Sequence, residues 1–291
     1  MKVTGISFIK NAIKFDYPIQ EAILSILPIC DEVIVAVGDC DDGTRELVQS
    51  IHPTKIKIID SIWNKTLNTG GIVLADETNK ILQQVDEETR WIVYIQGDEV
   101  LHEDGYETIK ENMQLWKDDK TIDGLLLKYH HFYGSYDYIA ISSRWYRNEI
   151  RIIKNNKSIY SYKDAQGFRK ANNEKLKVKA IDAYMHHYGW VKEPTQMMDK
   201  LFNAGTLWQA TNVEDERAKH NTKISFDYSE IDSLNIFKGT HPKVMQDRIT
   251  RKNWNFDYDL SYNNFSLKEK FKNLLYKLTG KEIFSYKNYK F

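Results

Sequence analysis

Across residues 1–130, short runs of β-forming residues alternate with segments of helical period, and that alternation restricts the fold more than any other feature. It is the pattern of βαβ units built around a parallel sheet. Val3 to Ile9 is the first strand. Pro18 then opens a helix whose Ile19, Ala22, Ile23, Ile26 and Leu27 share one face. Val33 to Val37 and Ile56 to Ile59 are further strands, with a helix from Thr44 to about Ile51 between them. Gly70-Gly71 leads into a helix carrying Ile72, Ala75, Leu82 and Val85. Trp91 to Ile95, a helix over Tyr106 to Trp116 and a strand at Gly124 to Leu127 complete the half.

Two strands close on acidic turns. In an open α/β sheet ligands bind beyond the carboxyl ends of the strands, so acids delivered there face a site. The first turn is Gly38-Asp39-Cys40-Asp41-Asp42-Gly43-Thr44, and the second is Gln96-Gly97-Asp98-Glu99. Acids at a strand end suit a hard divalent cation, which usually brings phosphates with it. The competing reading is structural, since Asp also caps the helix that follows a turn.

Composition removes several classes. Lys plus Arg and Asp plus Glu are both 41, so the formal charge is zero and a nucleic-acid or other polyanion binder is not expected. Aromatics supply 13% of residues, enough for flat polar-edged surfaces that line sugar or base pockets as well as cores. Cys30 and Cys40 have no metal-ligand spacing and cannot make a disulfide framework. No 18-residue apolar run and no signal-peptide pattern occur, so a cytoplasmic protein is expected, with peripheral membrane contact open to its C-terminal helix.

The second half is less regular. Tyr129 to Tyr133 is dense in rings, Ile150 to Ile153 reads as a strand, and Lys175 to Ala180 alternates Lys with apolar residues as an edge strand would. Pro194 to Gln209 reads as helix. Arg144, Arg147 and Arg151 are spaced as a local basic group able to hold a phosphate. From Ser266 onward, Leu267, Phe271, Leu274, Leu275 and Leu278 form a stripe at helical spacing among lysines. Such a helix lies on an anionic membrane surface or docks on its own domain with the lysines in water, and docking is favoured. The organisation expected is 1–130 as a nucleotide-sugar-binding half, 131–265 as an acceptor-side half packed on it, and 266–291 as a basic amphipathic helix and tail.

Several segments, in order, resemble family-2 glycosyltransferases of the GT-A fold. They are Ile6-Ser7-Phe8-Ile9, the helix from Glu21 to Leu27, Asp31 through Thr44, Asn68-Thr69-Gly70-Gly71 with Ala75 and Asn79, Gln96-Gly97-Asp98-Glu99, and His187-Tyr188-Gly189-Trp190 with Lys200. The resemblance implies an α/β fold with a mixed, mainly parallel sheet flanked by helices. It implies a transferase that moves a sugar, with inversion, from a nucleotide-diphosphate donor to a glycan or lipid-linked acceptor. Mn²⁺ or Mg²⁺ would assist, held by Asp98 and His187. Ser7, Asp39, Asp42, Gly70, Gly71, Gln96 and Lys200 would contact the nucleotide sugar. An inverting transfer needs a carboxylate to take the acceptor's proton, with Asp164 first and Glu149 second. Two departures stand out: Val37-Gly38 replaces an acid at the strand end, and Gln96 replaces the first acid of the metal motif. Gln96 keeps two other readings open, a degenerate sugar- or partner-binding member and a nucleotidyltransferase.

Overall fold

The computed structural model describes residues 1–208, 225–229, 231–279 and 286–291. The expected alternation is present. Strands β1 (Lys2–Ile9), β2 (Glu32–Val37), β3 (Ile56–Asp60) and β4 (Thr89–Tyr94) alternate with helices α1 (Ile19–Ile26), α2 (Thr44–Ser50) and α3 (Ile72–Gln84). Then follow β5 (Glu99–Leu101), α4 (Tyr106–Trp116), β6 (Gly124–Tyr133), β7 (Ser135–Ala140), β8 (Asn148–Lys154), β9 (Tyr160–Tyr162), β10 (Gly167–Lys170), β11 (Glu174–Trp190) and α5 (Pro194–Trp208). Leu234–Ile236 forms β12, Leu267–Thr279 the C-terminal helix, and Tyr289–Lys290 forms β13. Gln209, expected in α5, and Lys281 and Glu282, expected in the basic tail, lie outside the described residues.

The sheet order is β3-β2-β1-β4-β8-β6-β11-β10-β9. β1 to β4 are mutually parallel, β8 runs antiparallel between β4 and β6, and β11 is parallel to β6. The carboxyl ends of β1, β2, β4, β6 and β11 therefore share one edge. Strand alternation splits the core into two layers. Val33, Val35, Val37, Trp91, Val93 and Leu125 pack with the buried face of α1, and Ile6, Ile34, Ala36, Ile92 and Leu126 pack with Ala75, Ile81 and Leu82 of α3.

Three expectations change. The boundary at residue 130 falls inside β6, so the two proposed halves share one sheet. β11 is no edge strand: it runs 17 residues and pairs with β6 along one side. Its lysines fit because their long stems pack while the ammonium groups find partners, Lys179 over Trp116 at 4.4 Å and Lys175 on the Lys287 carbonyl at 2.6 Å. The C-terminal helix docks, but not by its apolar stripe. Arg147 holds it through Asn273 at 2.9 Å and the Tyr276 ring at 3.6 Å, while Leu267, Phe271, Leu274 and Leu278 stay exposed.

Candidate active site

A cleft of about 1280 Å³ opens at the shared strand edge. Lys10, Gln96, Gly97, Asp98, His131, Glu149, Asp164, His187, Gly189 and Lys200 contribute to its wall. Four tryptophans, Trp63, Trp145, Trp190 and Trp208, also face it. The Trp145 and Trp190 rings meet edge-on at 6.1 Å, forming an aromatic corner in the wall.

Strand register assembles the centre. In the β6–β11 pair His187 stands opposite His131, and in the β5–β11 pair it stands opposite Glu99, which sets the turn carrying Asp98 beside it. His186, one residue away, points to the other side of the sheet and meets Tyr188 and Phe132. Asp98 Oδ2 lies 3.2 Å from Lys200 Nζ, and Oδ1 lies 3.7 Å from His187 Nε2. Lys200 also donates to the Gly189 carbonyl at 2.7 Å. Burial alone would raise the Asp98 carboxyl, but the Lys200 ammonium beside it outweighs burial and holds it below the usual carboxylate range. Asp98 is an anion throughout the physiological range.

The proton positions on the two histidines follow from their partners. His131 Nε2 sits 2.7 Å from the Tyr146 carbonyl, which only accepts, so that nitrogen carries the proton. His131 Nδ1 is then an acceptor, and its 3.2 Å contact requires the proton of His187 on Nδ1. Burial lowers the pKa of both rings, keeping them neutral. His187 Nε2 is thus a bare lone pair facing a carboxylate across 3.7 Å, an arrangement that calls for a cation between them. Both side chains close over Gly189: a Cβ built there would stand 2.6 Å from Asp98 Oδ2 and 2.7 Å from His187 Nε2, so only a glycine lets the pair come this near the backbone. Among the described residues no third His, Cys, Asp or Glu joins the pair, so the remaining ligands would be ligand oxygens and water.

The loop bearing Asp98 is fixed from beneath. Arg151 makes a fully buried two-pronged contact with Glu99, Nε to Oε2 at 2.9 Å and Nη2 to Oε1 at 2.7 Å. Tyr129 donates its hydroxyl to the same carboxylate at 2.8 Å, and the Gln96 amide does so at 3.1 Å. Gln96 itself is a tie. Its side-chain amide donates to the Tyr94 hydroxyl at 3.2 Å and to the Ala165 carbonyl at 3.4 Å, and Tyr94 donates to that carbonyl at 3.3 Å. The tethered turn holds Asp164 between two residues of left-handed backbone, Lys163 and Ala165.

Glu149, the second candidate base, is buried. It accepts from the Ile150 amide at 2.8 Å, and Asn288 approaches at 3.5 Å. Burial pushes its carboxyl up to about 7, with Arg151 pulling the other way. The three arginines do not form one basic group: Arg144 pairs with Asp232, Arg147 with the C-terminal helix and Arg151 with Glu99.

Five of the expected nucleotide contacts are engaged within the protein itself. Ser7 is enclosed within β1 and absent from the cleft wall. Asp42 accepts from the Lys14 and Thr44 amides, a turn-closing role just before α2, whose N-cap is Gly43. Asp39 pairs with Lys10, leaving only the lysine in the wall. Gly70 and Gly71 use their N–H groups on the Trp208 and Leu207 carbonyls at 3.1 and 3.0 Å, joining α3 to the end of α5. The glycine at the end of β2 has a physical reason. A Cβ on Gly38 would meet Trp63 Nε1 at 2.9 Å and Lys10 Cβ at 3.0 Å. Sequence reasoning also missed Trp63, Trp208 and Asn288, which carry no periodic or motif signal.

No family model matches the chain, and no curated protein matches its sequence. Among solved structures it is similar to S. aureus TarS, 15% identical over 70% of this chain and 39% of that one, with a TM-score of 0.39. It is also similar to 4-diphosphocytidyl-2C-methyl-D-erythritol synthase from Anaerococcus prevotii, 11% identical over 70% of this chain and 94% of that one, TM-score 0.37. A third is glucosyl-3-phosphoglycerate synthase from Mycobacterium tuberculosis, solved with Mn²⁺, UDP and phosphoglyceric acid, 13% identical over 45% and 43% of the two chains, TM-score 0.30. This chain thus spans well under two thirds of the length of the full TarS structure. Its own strand order and the edge that carries its acids give it a mixed, mainly parallel sheet flanked by helices, a fold of the GT-A type.

Proposed function

We propose that the chain is a metal-assisted glycosyltransferase that moves a sugar from a nucleotide-diphosphate donor to a glycan or lipid-linked acceptor. The observation that carries this reading is the neutral His187 nitrogen facing the Asp98 carboxylate across 3.7 Å, with both side chains packed over Gly189. Those two side chains would hold the cation, and the imidazole donor favours Mn²⁺ over Mg²⁺. When bound, the cation neutralises charge on the departing diphosphate.

The chain's own groups divide the remaining tasks. Lys200 holds Asp98 in place and adds positive charge on the leaving-group side. Trp145 and Trp190 offer the acceptor surface. Glu149 takes the proton of the acceptor hydroxyl as that oxygen attacks the sugar carbon opposite the leaving phosphate, giving inversion. Asp164 is the alternative base.

A thermal-shift panel of UDP, GDP, CDP and their sugars, each with and without Mn²⁺, tests the donor assignment. One nucleotide should stabilise the protein only with metal, by about 2.7 kcal/mol at a hundredfold excess over Kd. Asp98→Ala should remove that shift from a folded protein. No shift with any nucleotide would move the reading to a non-catalytic sugar-binding protein.

The base assignment has a pH signature. A base must be ionised to act, so transfer should rise as pH climbs through about 7, where Glu149 loses its proton. Glu149→Gln should cost roughly 10²–10⁴ in rate and erase that limb. Should Asp164→Asn produce this outcome instead, with Glu149→Gln active, the base is Asp164.

A further inference from the structure

We propose that the C-terminal helix Leu267–Thr279 seats the protein on an anionic membrane surface. The helix starts at a reciprocal cap, in which Ser266 donates to Glu269 at 3.1 Å and the Glu269 amide returns to Ser266 Oγ at 3.3 Å. At 100° per residue, Leu267, Phe271, Leu274 and Leu278 fall within a narrow stripe. Asn273 and Tyr276, which grip Arg147, fall on the opposite side. The stripe therefore points away from the domain, and its four side chains are 85, 55, 53 and 73% exposed. A contiguous apolar stripe left outward on a helix anchored by its far face marks an interaction surface.

Charge selects the occupant. Lys268 and Lys270 are exposed and flank the stripe on its two sides, a placement that lets their ammonium groups reach lipid phosphates while the apolar side chains enter the acyl boundary. A second copy of the chain would bring like charges together along the same seam. It would also offer fewer than two heptads, short of what a coiled coil needs. The chain as a whole is electrically neutral, so this basic apolar face is a local feature and not a general stickiness. No described helix is long and apolar enough to cross a membrane, so contact would be interfacial. Lys272 of the same helix lines the cleft, which places the cleft mouth beside the bilayer.

This inference stands apart from the transfer chemistry, because vesicle binding is read without donor or metal. The full chain is sedimented with phosphatidylcholine vesicles containing phosphatidylglycerol, and with phosphatidylcholine alone, at low and high salt. Binding is expected on the anionic vesicles only and should weaken with salt. The double variant Phe271→Glu, Leu274→Glu should lose roughly tenfold or more of the bound fraction, with its melting temperature and nucleotide-induced shift unchanged. A weaker second variant, Lys268→Gln with Lys270→Gln, should lose the anionic preference. Absence of wild-type binding to anionic vesicles, or equal binding by the double variant, overturns the proposal. So does a concentration-dependent dimer in light scattering that the double variant abolishes, since the stripe would then be an interface between copies.

Discussion

Gly189→Ala is expected to abolish metal-dependent nucleotide binding while leaving the fold intact. The added methyl would stand 2.6 Å from Asp98 Oδ2 and 2.7 Å from His187 Nε2, too close for the pair to stay where it could hold a cation. Gly189 has no left-handed backbone to lose, so alanine meets no conformational penalty there. The Asp98 carboxylate and the His187 ring must shift to admit it, since contacts this short are not tolerated. Stability should fall by about 1–3 kcal/mol, whereas the Mn²⁺-dependent shift of about 2.7 kcal/mol at saturating nucleotide should vanish. Every liganding atom survives in this variant, which separates displacement of the ligands from loss of one. A wild-type metal response in Gly189→Ala would place the cation elsewhere in the cleft.

Arg151→Met is expected to be the most destabilising single change near the site. Arg151 and Glu99 are fully buried, and removing one member of such a pair leaves the other charged without a counter-ion. The cost is about 3–5 kcal/mol, on the order of 10 °C in melting temperature. Tyr129 and the Gln96 amide would still point at Glu99, which limits the loss but cannot neutralise the carboxylate. Donor affinity should fall as well in the fraction that remains folded, because Glu99 anchors the turn that presents Asp98. Denaturant unfolding at neutral pH measures the first effect and calorimetric titration with nucleotide the second. A loss under about 1 kcal/mol would mean that water reaches the pair.

Local rules carried most of the first half. β1 to β4 and the helices between them were legible because each apolar run is short, bounded by turn residues and followed by a helical period. Asp98, His187 and Lys200 were legible as types at plausible positions. Their convergence was not, because it rests on the register of β11 against β6 and β5, set across more than fifty residues of chain. His131 was invisible for the same reason: only the His131–His187 pairing gives its ring a role. Local context also misled. The lysines of β11 imitate an edge strand, and the arginines around Glu149 imitate a surface ion pair, although Arg151 turns inward to Glu99. Asp42 looked equally able to cap a helix or to hold a ribose, and the Lys14 and Thr44 amides show it closing the turn before α2.

The tie made by Gln96 has an evolutionary consequence. Its amide hydrogens meet the Ala165 carbonyl, a group that can only accept. A carboxylate at that position would set two acceptors against each other and loosen the turn that carries Asp164. An acid at 96 would therefore leave the Tyr94 hydroxyl as the one remaining side-chain donor to the Ala165 carbonyl, so a lineage moving toward an acidic pair would give up half of this tie.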